Sequence, residues 1–229
     1  PKPWMKNVQE NNEKLYPITF SISETKIIKR SNAKTKILSS LIPGDLRTYI
    51  YNTEVEYYNE YKSSIFALTK KKAGWDCLRH YEIIANGCIP IFLEIEKCPS
   101  KCIHMLPKQL LIEAHYLYRC LKDKQISLLT KEEHNKCKYL QNKFIEYLRM
   151  NLTTKCIASY IFKKTGHTNV NKILYLSGSI YPDYLRCLTL TGMKELLGKE
   201  AYDYPRINHL YSDYKDTHKL DKNIFFDYE

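Results

Sequence analysis

KKKAGWDCLRHYEIIANGCIPIFL, residues 70–93, decides how this chain is read. A basic loop ends in Gly74, and the amphipathic run over 76–86 predicts a helix. Gly87 breaks that run, and the apolar segment 88–93 predicts a buried strand. Asp76 stands where a helix N-cap is expected. A helix start behind a run of lysines suits an anion. Its first N–H groups lack intrahelical partners, its dipole is positive there, and the ammonium groups add formal charge. The expected guest is a phosphate or diphosphate.

Upstream of the loop, the apolar run at 65–68 predicts a short strand, and EVEYYNEYKSS at 54–64 predicts a helix before it. Residues 15–30 alternate like a strand and then turn at Ser23 and Glu24. At 42–52, Pro43 and Gly44 make a turn. Leu46, Thr48 and Ile50 then alternate with Arg47, Tyr49 and Tyr51 on two faces. Strand, loop, helix and strand in this order are the alternation of an α/β sheet.

Downstream, residues 106–121 predict a helix with Leu110, Leu111, Ala114, Leu117 and Cys120 near one face. Thr130 with Glu133 forms a capping-box pattern that opens a long helix to about Met150. Residues 152–166 predict another helix, closed by Lys163, Lys164 and Gly166. A polar linker, 166–172, marks the candidate boundary. After it come an apolar strand at 172–178, a helix at 181–198 and a second strand at 201–205. Pro182 is expected in that helix's first turn and Gly198 just past its end. The remainder shows no clear periodicity. The expected organisation is a Rossmann-like domain over 1–165 and the start of a second α/β unit over 166–229. That second unit is either acceptor-side or packed on the first.

The chain has 229 residues, 44% of them apolar, enough for one sizeable domain or two small ones. It contains no apolar run long enough to span a membrane, and its first residues lack a signal-peptide core. The formal charge of +11 points to an anionic partner, but only residues 70–72 form a tight basic run and no nucleic-acid module is recognisable. Eight cysteines without framework spacing fit a reducing compartment. Cys98, Cys102 and His104 hold metal donors, yet no second pair at zinc spacing follows, so the reading is a loop with two thiols.

Residues 63–95 resemble the nucleotide-sugar-binding half of exostosin-type glycosyltransferases of the two-Rossmann (B-type) architecture. The residues that carry the resemblance are Ser64 and Phe66 on a strand, the loop 70–74, Arg79 and Glu82 on the helix, and Gly87-Cys88-Ile89-Pro90 before the next strand. The flanking text is similar to uncharacterised glycosyltransferase-like proteins of bacteria and large DNA viruses. The resemblance implies a Rossmann-like parallel sheet with flanking helices, followed by a partial second α/β segment. It also implies a nucleoside diphosphate sugar as donor, an unknown glycan or protein acceptor, no metal and no nucleic acid. The segment that resembles the start of an acceptor half, 172–205, follows the donor half instead of preceding it. The implied setting is the cytoplasm, or the host cytoplasm, virus factory or virion.

Transfer of a sugar from such a donor builds negative charge on the leaving diphosphate, which fixed cations must stabilise. Arg79 offers a planar fork to phosphate oxygens, and Lys71 or Lys72 a point charge. Gly74 would let the backbone approach closely. Glu82, one turn from Arg79, either accepts from ribose hydroxyls or forms an ion pair with Arg79. The expected substrate-binding set is Ser64, Lys71, Lys72, Gly74, Arg79 and Glu82, with no catalytic residue assigned. Trp75 reads as packing beneath the loop before stacking on a base. Asp183, His209 and His104 are candidate bases, and Ser177-Gly178 a candidate contact. Retaining and inverting outcomes both stay open, as does an inactive glycosyltransferase-like structural or virion-associated protein.

Overall fold

The computed structural model describes residues 16–30, 33–178 and 183–211. It is a mixed α/β protein with two small parallel sheets flanked by helices. The first sheet contains β1 (Lys36–Leu38), β2 (Ser64–Thr69) and β3 (Ile89–Phe92) in that order. Leu38 pairs with Phe66, and Phe66 with Ile89. The crossovers are α1 (Glu54–Ser63) and α2 (Leu78–Ala85). Helices α3 (Lys108–Leu121), α4 (Lys131–Asn151) and α5 (Thr154–Lys164) follow.

Burial on both faces is why 65–68 and 88–93 read as continuous apolar runs. Ala67 packs with Tyr61 of α1 and Ile83 of α2 on one face. Phe66 meets Tyr118 of α3 edge-on at 5.4 Å on the other. Tyr61, Phe66, Tyr81 and Ile89 are all fully buried. Gly87 ends α2 at φ 65, and a Cβ there would sit 2.4 Å from Ile28 Cδ1. Both features favour glycine at this sharp return into β3.

The second sheet pairs β4 (Ile173–Leu176) with β5 (Ala201–Tyr204), joined through α6 (Tyr184–Leu197). Asp183 caps α6 through the Arg186 amide, and Gly198 ends it. Helix α6 lies tightly on α5, on the far side of the linker. A Cβ on Gly192 would stand 2.0 Å from the Thr154 carbonyl oxygen. Glu195 ties the two parts further by accepting from Ser23 Oγ at 2.8 Å and from Thr154 Oγ1. Pro182 and everything after Tyr211 lie outside the described residues.

Three expectations need correction. Residues 16–22 form no sheet strand. The Ile22 amide bonds to Leu152 O and its carbonyl accepts from the Thr154 amide, so the segment laces the α4–α5 junction through one isolated bridge. The turn at Ser23 and Glu24 is a short 3-10 helix, Glu24–Lys26. Residues 46–51 alternate without a sheet to bury them: Leu46–Thr48 form a 3-10 turn capped by Asp45, and Leu46 and Ile50 stay exposed. Asp76 does not cap α2. Cys77 stands at the N-cap without a side-chain bond, while Asp76 accepts from the Phe20 amide at 2.9 Å and from Tyr81 Oη at 3.0 Å. Its carboxylate therefore fastens the N-terminal segment to α2.

Candidate functional site

The carboxyl ends of β1 and β2 present the turn at 43–45 and the basic loop at 70–77 on one edge of the sheet. This is where open α/β sheets bind ligands. The loop is held from beneath by His80. Its Nε2–H donates to the Trp75 carbonyl at 2.9 Å, which leaves Nδ1 to accept from Thr69 Oγ1 at 2.8 Å. Burial lowers the His80 imidazole to a pKa of about 4, so it is neutral and fixed in that tautomer at physiological pH. Trp75 stacks on Phe92 with ring centroids 6.0 Å apart, which is packing beneath the loop. Lys71 Nζ sits 5.2 Å over the Trp75 ring, and the Lys72 amide closes a tight turn onto the Gly74 carbonyl. The space beside Gly74 is open.

Arg79 and Glu82 point away from Trp75, toward α1. Arg79 lies over the Tyr49 ring, its guanidinium carbon 5.6 Å from the centroid. Glu82 accepts from Tyr57 Oη at 3.2 Å and from Tyr58 Oη at 3.5 Å, and Tyr57 in turn shares a hydrogen bond with Tyr61. Among the described residues no ion pair joins Arg79 to Glu82. Burial pushes the Glu82 carboxyl up to about 7. The Tyr57 bond and the Arg79 charge pull it down too weakly to compensate, and Glu54 adds to the rise. Burial likewise pushes the Tyr49 phenol up, against the pull of the adjacent Arg79 charge. One donor in this cluster, Arg79 Nε, is buried without a hydrogen-bond partner, while the Tyr49 hydroxyl is engaged by the Arg79 side chain. Buried polar groups are nearly always paired, so an unspent donor beside an under-bonded carboxylate makes this cluster the candidate site.

The structure therefore brings Arg79 and Glu82 together but separates them from Ser64. That serine begins β2, about 17 Å along the strand from the loop. Its hydroxyl donates to the Glu60 carbonyl at 2.7 Å, closing the end of α1. Lys71 lies on the β3 side with Trp75. On the Tyr49 side the lysine is Lys70, whose Nζ would lie 2.9 Å from a Cβ on Gly44 in the 43–45 turn.

The candidate bases are occupied elsewhere. Asp183 caps α6, and His209 Nε2 lies 3.3 Å from Cys187 Sγ. His104 lines a separate cavity of about 320 Å³ with Tyr16, Tyr147, Tyr160 and Lys164. The Ser177 hydroxyl donates to the Pro205 carbonyl at the end of the second sheet. Among the described residues no three His, Cys, Asp or Glu side chains could together hold a metal, and no helix is long and apolar enough to cross a membrane.

Sequence reasoning missed the tyrosines. Their signal was present in EVEYYNEYKSS, which places Tyr57, Tyr58 and Tyr61 at helical spacing just upstream of the Arg79–Glu82 helix. Compared with known proteins, the chain matches no family model, no curated protein and no solved structure.

Proposed function

We propose that this chain binds a nucleoside diphosphate sugar at the Arg79–Glu82 cluster and serves as a glycosyltransferase or its donor-binding domain. The observation that carries the reading is the buried, unpartnered Arg79 Nε beside a carboxylate held only by two tyrosine hydroxyls. Arg79 would take phosphate oxygens with its fork, and Lys70 to Lys72 would add positive potential at the loop. Glu82 would accept from ligand hydroxyls, an exchange favourable for an acceptor whose present donors are distant. Arg79 and the loop lysines would stabilise the leaving diphosphate.

A thermal-shift and calorimetric screen of the chain against UDP, GDP, ADP and their sugars, without added metal, tests this. One base is expected to raise the melting temperature selectively, since a ligand of the folded form must stabilise it. Arg79→Ala should weaken that binding by about 2 kcal/mol. Binding that falls steeply with modest salt would indicate counterion release instead. No response to any nucleotide from the folded chain would contradict the reading.

One observation favours a second reading, a glycosyltransferase-like structural or virion-associated protein. The outer face of the second sheet exposes Leu174, Leu176, Tyr202 and Tyr204, with Leu176 at 72% and Tyr204 at 70%. Parallel sheets are ordinarily covered on both faces, so this one suits assembly.

A further inference from the structure

A second concavity lies apart from the Arg79–Glu82 cluster, at the same edge of the first sheet. The loop over 93–107 leaves β3 at that edge and carries His104 and Met105. The N-terminal segment brings Tyr16 and Pro17 there, just ahead of the Phe20 amide that Asp76 holds. The cavity between them and the ends of α4 and α5 measures about 320 Å³, near the lower limit for small-molecule sites.

Two of its three tyrosine rings are fixed by their own hydroxyls. Tyr147 Oη donates to the Met105 carbonyl at 2.8 Å, and Tyr160 Oη to the Pro17 carbonyl at 2.9 Å. With those hydroxyls spent, the rings line the cavity as flat apolar surface beside Met105 and Pro17. The ammonium of Lys164 is held over this surface. Its Nζ stands 5.1 Å from the Tyr16 ring centroid and 5.7 Å from that of Tyr160, and among the described residues no carboxylate pairs with it. Asn151 spends its amide N–H on the Tyr147 carbonyl at 3.1 Å and keeps its side-chain oxygen. Flat apolar rings around one unpaired cation match a flat anion.

We propose that this cavity binds a small aromatic carboxylate, its ring stacked on Tyr16 and Tyr160 and its carboxylate on Lys164 Nζ. Aromatic rings gain from offset stacking, and a carboxylate gains a charge-assisted bond from an ammonium. An acidic sugar offers the same charge, but it would bury several hydroxyls against Met105, Pro17 and the ring faces, at a cost. The assignment stands on the cavity alone and does not rest on the donor site.

The full chain is titrated by NMR and calorimetry with benzoate, with its neutral isostere benzamide, and with methyl glucuronide. Benzoate should bind with a Kd of about 1 mM or tighter. Benzamide should bind about tenfold more weakly, and methyl glucuronide not measurably. Lys164→Gln should erase the preference for benzoate over benzamide, and Tyr16→Ala should weaken both. Lys164 is exposed and Tyr16 is 46% exposed, so both variants should melt as wild type does. Arg79→Ala should leave benzoate affinity unchanged. No response to benzoate, or equal benzoate affinity in wild type and Lys164→Gln, would overturn the site. Tighter binding of methyl glucuronide than of benzoate would overturn the ligand class.

Discussion

Two carboxylates, the buried Glu60 and the half-buried Glu82, one on each crossover helix of the first sheet, are treated in opposite ways. Glu60 of α1 accepts from Lys36 Nζ at 2.7 Å, Ser39 Oγ at 3.0 Å, the Ser40 amide at 2.7 Å and Tyr51 Oη at 2.8 Å. Burial raises its pKa, but the Lys36 ammonium, the Ser40 amide and Tyr51 outweigh that and hold it at about 2. Glu82 of α2 has two tyrosine hydroxyls at 3.2 and 3.5 Å and stands at about 7. A buried charge is tolerated when its lone pairs are filled, and is costly otherwise. Glu60 is filled from within the chain and rivets β1, the loop after it and α1 together. Glu82 is left short beside Arg79, whose Nε is an unused donor. The difference separates a group whose lone pairs the fold fills from one that the proposed function leaves for a ligand.

The comparison breaks first at Glu60. Glu60→Gln should lose about 3 kcal/mol in denaturant unfolding, because it leaves Lys36 and several donors without their anion. Partial exposure of Lys36 keeps the loss from being larger. Its pH dependence follows from a depressed carboxyl. The stabilisation is present above the ordinary value of 4.5 and is lost as pH falls through about 2.

Glu82 should behave with the opposite sign. Its folded pKa lies above the ordinary 4.5, so the native state keeps a proton that the unfolded chain has released. The associated stabilisation is complete below pH 4.5 and is lost as pH rises through about 7, at a cost on the order of 3 kcal/mol. Glu82→Gln, a neutral mimic, should therefore stabilise the ligand-free protein by about 2 kcal/mol at pH 8 and change little at pH 4. Urea melts at both pH values check this, and destabilisation at pH 8 would remove the contrast with Glu60.

Smaller effects sharpen the picture. Tyr57→Phe takes away the closer of Glu82's two donors and should raise that carboxyl's midpoint further, with about 1 kcal/mol lost at neutral pH. Ser64→Ala should cost somewhat under 1 kcal/mol by unfolding and leave diphosphate affinity unchanged, since its hydroxyl closes α1 far from the loop.

The sequence made the sheet and its second crossover legible because each depends on local pattern. Gly87 between the run at 76–86 and an unbroken apolar segment can be little other than helix, turn and buried strand. Thr130 with Glu133 announces the long helix, and both capping bonds are present. Strand β1 was hidden because three residues cannot display an alternation, and residues 46–51 misled because they alternate with nothing to bury them. At the site, Arg79 and Glu82 were singled out by the resemblance, three residues apart on one helix. What surrounds them was not. Tyr49, Tyr57 and Tyr58 arrive from a loop and another helix, and whether a hydroxyl there is spent or unspent depends on packing between elements. Ser64 shows the converse, a residue singled out by pattern whose hydroxyl is consumed by the preceding helix.

The most direct measurement is a titration of the glutamate carboxyls by carbon NMR on ligand-free protein, with Glu82→Gln and Glu60→Gln assigning the two resonances. The account expects Glu82 to titrate with a midpoint near 7 and Glu60 near 2. A Glu82 that titrates near the ordinary value of 4.5 would mean its charge is already satisfied in the free protein. The case for an unfilled ligand site at α2 would then fail.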